Sequence, residues 1–171
     1  MADENKIAGS LPAGADPNNT LFVETTPGVI YIELDADNAP KHAERIKQLA
    51  REGFYDDVPF HRVIEGFMAQ TGDGQHGNGT GGSSYPDLKA EFSDLPFERG
   101  VVGMARKGGN NNSANSQFFI MFDEGSFLNG EYTVIGEVVG GMDVVDKLKR
   151  GEPPTDPDRI IRMQVAADVR S

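Results

Sequence analysis

The sequence predicts a mainly β fold: about eight strands in one antiparallel sheet, closed into a barrel, accompanied by two α-helices. Three observations predict it. Eight short runs are rich in β-branched and aromatic residues and bounded by turn residues. The 171 residues include 21 glycines, enough for the many turns that a β-rich chain needs. Only two stretches show apolar residues at helical spacing. Closure into a barrel is expected because it removes exposed strand edges.

In chain order, residues 1–19 are small, polar and rich in Gly, Pro and Asn, and read as a flexible leader to a single domain spanning 20–171. Residues 21–25 and 29–34 are two β-rich runs separated by Thr26-Pro27-Gly28, which predicts a hairpin. Asp37 and Asn38 then offer helix caps, and Pro40 suits the first helical position. Ala39, Ala43, Ile46, Leu49 and Ala50 form an apolar stripe, with Lys41, Arg45, Lys47 and Arg51 off most of it and Gly53 at the stop. Further strands are expected over 58–64, 67–71, 101–105, 118–122, 134–139 and 160–169. A second helix is expected over 142–150. Asp143 stands in its first turn, with Lys147, Lys149 and Arg150 near its last, as the helix dipole favours. Pro153-Pro154 prevents continuation.

Composition narrows the function classes. With 16 basic and 27 acidic residues, the net charge is −11. That disfavours nucleic acid and anionic membrane as partners, because both require a cationic face. There is no cysteine, hence no disulfide and no thiolate metal site. Met1 to Ile7 are acidic and lack the apolar core of a signal peptide, so a cytoplasmic location is expected. No apolar run is long enough to span a membrane.

Two segments carry the chemistry. Phe60-His61-Arg62 leads into Gly66-Phe67-Met68-Ala69-Gln70, and Ser116-Gln117-Phe118-Phe119-Ile120 follows later in the chain. Together they supply an apolar cup with a fixed cation and two amides at its rim. No nucleophile constellation and no metal-ligand spacing accompany them. Such a site suits holding a peptide and turning a bond rather than breaking one. Taken singly, Arg62 could be a surface arginine paired with a carboxylate, and the apolar residues could simply be core. Gln70 and Gln117 either knit a wall together or bind a substrate backbone, since buried amides are costly unless paired. Phe118 and Ile120 alternate with Phe119 and are expected to face the barrel interior. His61 is expected to be structural, alternating away from the face of Arg62. The glycines from Gly72 to Gly82 lack the Gly-Lys-Ser/Thr of a phosphate cradle and read as a loop framing the site.

These motifs, with Gly77-Asn78-Gly79-Thr80-Gly81-Gly82 and Met104-Ala105, resemble in kind and order the motif set of the cyclophilins, over nearly the whole chain. That family consists of peptidyl-prolyl cis-trans isomerases. The resemblance implies a barrel capped by two helices, no cofactor and no metal. The partners it implies are proline-containing peptides and unfolded or folding proteins. It assigns Arg62 as the catalytic residue. It places Phe67, Met68, Gln70, Ala105, Arg106, Gln117, Phe119, Phe127, Leu128 and Tyr132 in substrate binding. Nothing demands more than a monomer. A non-catalytic module that binds proline peptides on the same barrel is the alternative, and retention of Arg62, Gln70 and Phe119 argues against it.

Three positions depart from the best-known family pattern. Phe127 replaces a tryptophan that the resemblance ties to tight cyclosporin binding, so weak cyclosporin binding is expected. Tyr132 replaces a pocket histidine. Arg106 replaces the asparagine that usually follows Met-Ala, and Lys107-Gly108-Gly109-Asn110-Asn111-Asn112 continues it in a slightly longer loop. Sequence preference beside the proline is expected to shift.

Overall fold

The structure is a computed structural model that describes residues 11–169. Strands β1 (Thr20–Thr25) and β2 (Gly28–Leu34) form the expected hairpin, in register from Thr20 opposite Glu33 to Thr25 opposite Gly28. Helix α1 (Pro40–Arg51) begins at its proline and buries Ala43, Ile46, Leu49 and Ala50. Its cap differs from expectation. Ala39 is the capping residue and has no side-chain bond to offer. The Glu91 carboxylate, about fifty residues away in sequence, instead accepts from the N–H groups of Lys41 and His42. An anion there satisfies the orphan donors and complements the dipole.

The remaining strands are β3 (Val58–Pro59), β4 (Arg62–Ile64), β5 (Met68–Thr71), β6 (Val101–Met104), β7 (Phe118–Met121), β8 (Val134–Gly140) and β9 (Arg159–Val165). All pairings are antiparallel, in the order β3-β9-β1-β2-β8-β6-β7-β5-β4. The expected closed, eight-stranded barrel is therefore corrected to a nine-stranded, curled sheet whose ladder stays open. The single strand expected over 58–64 breaks at Phe60-His61. The Phe60 N–H makes the last bond of the β3–β9 ladder, to the Asp158 carbonyl at 2.8 Å, and its ring is buried. In those two residues the chain passes from one edge of the sheet to the other. The seam is bridged by Val63 and Gly151, which exchange two backbone bonds of 2.8 Å.

The second helix is also shorter than expected: α2 covers Met142–Val145. Beyond it the chain tightens, with the Lys147 and Leu148 N–H groups donating to Val144 and Val145. The Lys149 N–H is drawn away to the Asp158 carboxylate at 2.9 Å, and the Arg150 guanidinium caps the Asp146 and Leu148 carbonyls. Tight local turns, the Arg150 cap and the bond of Lys149 to Asp158 thus take the place of further helix.

Residues 1–10 of the expected leader lie outside the described residues. The following segment bonds to β2 and to the 3₁₀ turn after β9: the Leu34 N–H donates to Asn19 and the Ala167 N–H to Pro17.

The two faces of the sheet separate two apolar clusters. Phe118 and Ile120 of β7 join Ala69, Val63 and Val102 in the interior, beside Ile46 and Leu49 of α1. Phe119 and Met121 point the other way and join Met68, Phe97, Leu128 and Val134. Strand alternation produces this division, as the sequence predicts. Each large side chain fully buried here contributes about 1.5–3 kcal/mol.

Candidate active site

The site is built on the outer face of β4, β5 and β7. Arg62 lies directly opposite Gln70, and Gln70 directly opposite Phe119. Gly103 of β6 continues the row opposite Phe119. Residues in register on neighbouring strands share a face. The row therefore sets a cation, an amide and an aromatic ring side by side, at strand spacings of about 4.8 Å. Gly103 lets the floor form. A Cβ there would meet the Phe97 ring at 2.6 Å and the Phe119 ring at 2.7 Å. The two rings stack at 5.7 Å, and Tyr132 stands edge-on to Phe119 at 5.8 Å.

A pocket of about 330 Å³ opens over this row. Its lining includes Arg62, Phe67, Met68, Gln70, Ala105, Arg106, Phe119, Leu128 and Tyr132, all singled out from the sequence. Phe67 precedes β5, Leu128 comes from a single 3₁₀ turn (Ser126–Leu128), and Ala105-Arg106 follows β6. Two expected residues stand apart. Phe127 is 69% exposed and packs on Phe67 at 5.5 Å, outside the lining. Gln117 lines an adjoining cleft of about 360 Å³.

The polar groups are held by specific partners. Nε of Arg62 donates to Oε1 of Glu152 at 3.2 Å. Its two Nη nitrogens have no acceptor among the described residues, and the side chain is about half exposed. The Gln70 amide donates to Oε1 of Gln117 at 3.0 Å, and Gln117 donates to the carbonyls of Gly79 and Gly81 at 3.0 and 2.9 Å. Gln117 thus ties the floor of the pocket to the glycine loop, and the Gln70 carbonyl oxygen is left open. Asp73 organises that loop. Its buried carboxylate accepts from the N–H groups of Gln75, His76, Asn78, Gly79 and Gly81. Burial raises its pKa, but the backbone donors of His76, Gly81, Gly79 and Asn78 outweigh that and hold it at about 2. Glycine is required at 81, where a Cβ would lie 2.3 Å from the Asp73 oxygen.

Two participants, His61 and Glu152, escape sequence reasoning, and two more come from the loop read as framing the site. His61 lines the pocket beside Arg62, because the break in the strand at Phe60-His61 cancels the alternation that would turn it away. Burial lowers its pKa, the Asp73 charge opposes and Arg62 reinforces. Asn78 and Gly79 line the pocket from the loop. Glu152 reaches Arg62 from 90 residues away, with no local pattern to announce it. A larger cleft of about 540 Å³ lies between the Asp16–Asn19 segment, β2 and the Leu95–Glu98 loop, lined by six carboxylates and by none of the motif residues. Size alone does not mark the site. No group of His, Asp and Glu among the described residues could hold a metal ion.

Comparison with known proteins agrees with this geometry. Residues 20–165 match the family model for cyclophilin type peptidyl-prolyl cis-trans isomerase. A probable peptidyl-prolyl cis-trans isomerase of Brucella suis is 56% identical over 173 residues, covering 92% of this chain and 88% of that protein. Peptidyl-prolyl cis-trans isomerase cypE of Dictyostelium discoideum is 39% identical over 84% of this chain and 95% of its own. Among solved structures, a cyclophilin from Hirschia baltica superimposes with a TM-score of 0.84 at 32% identity, covering 91% of this chain and 77% of that one. A Cryptosporidium parvum cyclophilin crystallised in the presence of the dipeptide Ala-Pro gives a TM-score of 0.79 at 28% identity, over 85% of this chain and 98% of that one. The chain belongs to the cyclophilin family of peptidyl-prolyl cis-trans isomerases.

Proposed function

We propose that the pocket over Phe119 seats the proline of a peptide substrate and that Arg62 drives rotation of the bond before it. The observation that carries this is the row Arg62–Gln70–Phe119, which sets a fixed charge and an open amide oxygen beside an aromatic floor. Rotation about a peptide bond faces a barrier of about 18–20 kcal/mol, because the C–N bond has partial double-bond character. An acceleration of about 10⁵-fold requires roughly 7 kcal/mol of transition-state stabilisation.

Seating the ring against Phe67, Met68, Phe119 and Leu128 is similar in ground and transition states, so it lowers KM and not the barrier. Discrimination comes from the twisted amide. On twisting, the prolyl nitrogen recovers its lone pair and becomes a hydrogen-bond acceptor. An Nη group of Arg62 donates to it only then, and a charged bond of this kind contributes about 1.5–3 kcal/mol. The remainder comes from preorganised groups that hold the carbonyl and flanking backbone: Gln70, locked by Gln117, and the main chain at Ala105-Arg106. Glu152 steadies Arg62 through Nε without occupying the Nη nitrogens.

In this reading the isomerase domain occupies residues 20–171, preceded by residues 1–19, and works as a cytoplasmic monomer on unfolded or folding chains. The net charge of −11 supports partners other than nucleic acid or membrane surfaces. No helix among the described residues is long and apolar enough to cross a membrane. The test is cis-to-trans relaxation of a short Xaa-Pro peptide. Acceleration by catalytic amounts of protein is expected. A folded protein that binds the peptide without accelerating it would make the barrel a binding module instead.

A further inference from the structure

The proline pocket and the adjoining cleft are not separate. Gln70, Gly79, Ala105 and Arg106 line both, so they form one groove with Arg106 on the divide. The Arg106 guanidinium lies 4.3 Å over the Tyr132 ring. Nε and Nη2 donate to the Glu131 carbonyl at 3.1 and 3.0 Å, and Nη1 donates to the Lys107 carbonyl at 3.2 Å. A ring face and two neutral carbonyls fix the side chain without neutralising it.

That is unusual in this molecule. Among the described residues Arg51, Arg62, Arg99, Arg150, Arg159 and Arg162 are each paired with a carboxylate. Arg45 is buried and spends its donors on the carbonyls of Asn115 and Pro86. Arg106 alone is partly exposed with no carboxylate partner. Lys107, next in the chain and also lining the cleft, forms no ion pair among the described residues either. The one carboxylate in the cleft, Asp87, is bonded to the Asn115 amide at 3.0 Å. A chain of charge −11 thus presents two unpaired cations along one edge of its substrate groove.

We propose that this edge selects proline peptides bearing an Asp or Glu within two residues of the proline, with Arg106 the specificity-determining residue and Lys107 its auxiliary. Three of the five guanidinium N–H groups are engaged, and one on each Nη is left for a carboxylate. The planar fork is already immobilised, so a two-pronged bond to a carboxylate loses little further entropy. The proposal rests on the Phe119 pocket being the proline seat.

The experiment is NMR exchange on matched peptides carrying Glu, Gln or Lys at each position within two residues of a central proline. The full chain is used at low salt. Wild type is expected to prefer the best Glu peptide over its Lys counterpart by at least about threefold in kcat/KM, with Gln between, a margin within reach of a half-exposed ion pair. Added salt of about 0.5 M should bring the ratio towards one. Arg106→Gln should remove most of the ratio, Lys107→Gln a smaller part, and Arg106→Lys should keep some of it. Equal rates for Glu and Lys peptides at every position would overturn the proposal. So would a preference that persists in the folded Arg106→Gln/Lys107→Gln double variant. No acceleration of any peptide, Gln included, would instead overturn the proline seat, and the proposal with it.

Discussion

Phe127 stands at the mouth of the pocket, 69% exposed, with its ring against Phe67. A phenyl ring offers contact area but no donor, whereas an indole there would add an N–H. Losing one hydrogen bond to a ligand costs roughly 0.5–1.5 kcal/mol, and leaving its acceptor buried and unpaired costs more. Cyclosporin is therefore expected to inhibit this isomerase only weakly, while turnover of small proline peptides is retained. Measuring residual activity against cyclosporin concentration decides this: inhibition at about micromolar or above agrees, and a nanomolar constant contradicts it. Arg62, Phe67, Met68 and Gln70 were picked out by the motifs that resemble the cyclophilins; the residues alone left Arg62 open to a surface ion pair and Phe67 and Met68 to the core. Glu152 was not picked out, since its contact with Arg62 depends on how two distant loops close the seam at Val63 and Gly151.

The loop from Asp73 to Gly82 contains no strand or helix; five of its N–H groups converge on the Asp73 carboxylate, and Gln117 holds two of its carbonyls. The backbone donors keep Asp73 ionised down to about pH 2, against an ordinary value of 3.8. A depressed carboxyl pKa contributes stability above the unfolded value that is lost as pH falls through the folded one. The window here is from about pH 4 to pH 2, and the stake is about 2 kcal/mol. Asp73→Asn is therefore expected to lower thermal stability at pH 7 and to lower catalytic efficiency with it, because Gln117 anchors Gln70 to this same loop. It should also flatten the loss of stability between pH 4 and 2. Melting curves across that range check it, and an unchanged acid profile in the variant contradicts it. The glycine pattern announced a loop; that Asp73 gathers its amides could not be read from spacing. Helix α2 gives the opposite case. Its composition supports a helix to Arg150, yet it stops at Val145 and the chain tightens, with Lys149 turned to Asp158 and Arg150 capping the Asp146 and Leu148 carbonyls.

Across the fold, two histidines link stability to mild acid. His42 lies in the first turn of α1, fully buried, with Nδ1 on Glu91 at 2.5 Å and Nε2 without a partner among the described residues. His61 is buried with both ring nitrogens unpartnered among the described residues. Burial lowers the pKa of each from 6.5, outweighing the carboxylates of Glu91 and Asp73 respectively. Below about pH 6.5 the unfolded chain takes up protons that the folded chain refuses, so stability falls with pH until the folded values are reached. The melting temperature should drop between pH 7 and pH 5. A flat profile there would show that both rings protonate freely in the fold. The two-faced division of the core followed from alternation, which is local; the strand order did not, because pairing between distant strands leaves no local pattern. The open seam did not, because the chain leaves β9 after the Phe60–Asp158 bond and joins β5 from Arg62 on, a change of partner that no local pattern records.

The central claim is that Arg62 acts on the twisted bond and is not merely part of the wall. Its side chain is about half exposed, and its pair with Glu152 is of the exposed kind that contributes at most about 1 kcal/mol to folding. Arg62→Ala should therefore leave the fold intact. The measurement is cis-to-trans relaxation of one Xaa-Pro peptide with wild type and Arg62→Ala side by side, with a melting curve for each. A fall in kcat/KM of at least about tenfold at nearly unchanged stability is predicted, as losing a charged hydrogen bond in the transition state requires. Near-normal activity in the folded variant would contradict the account.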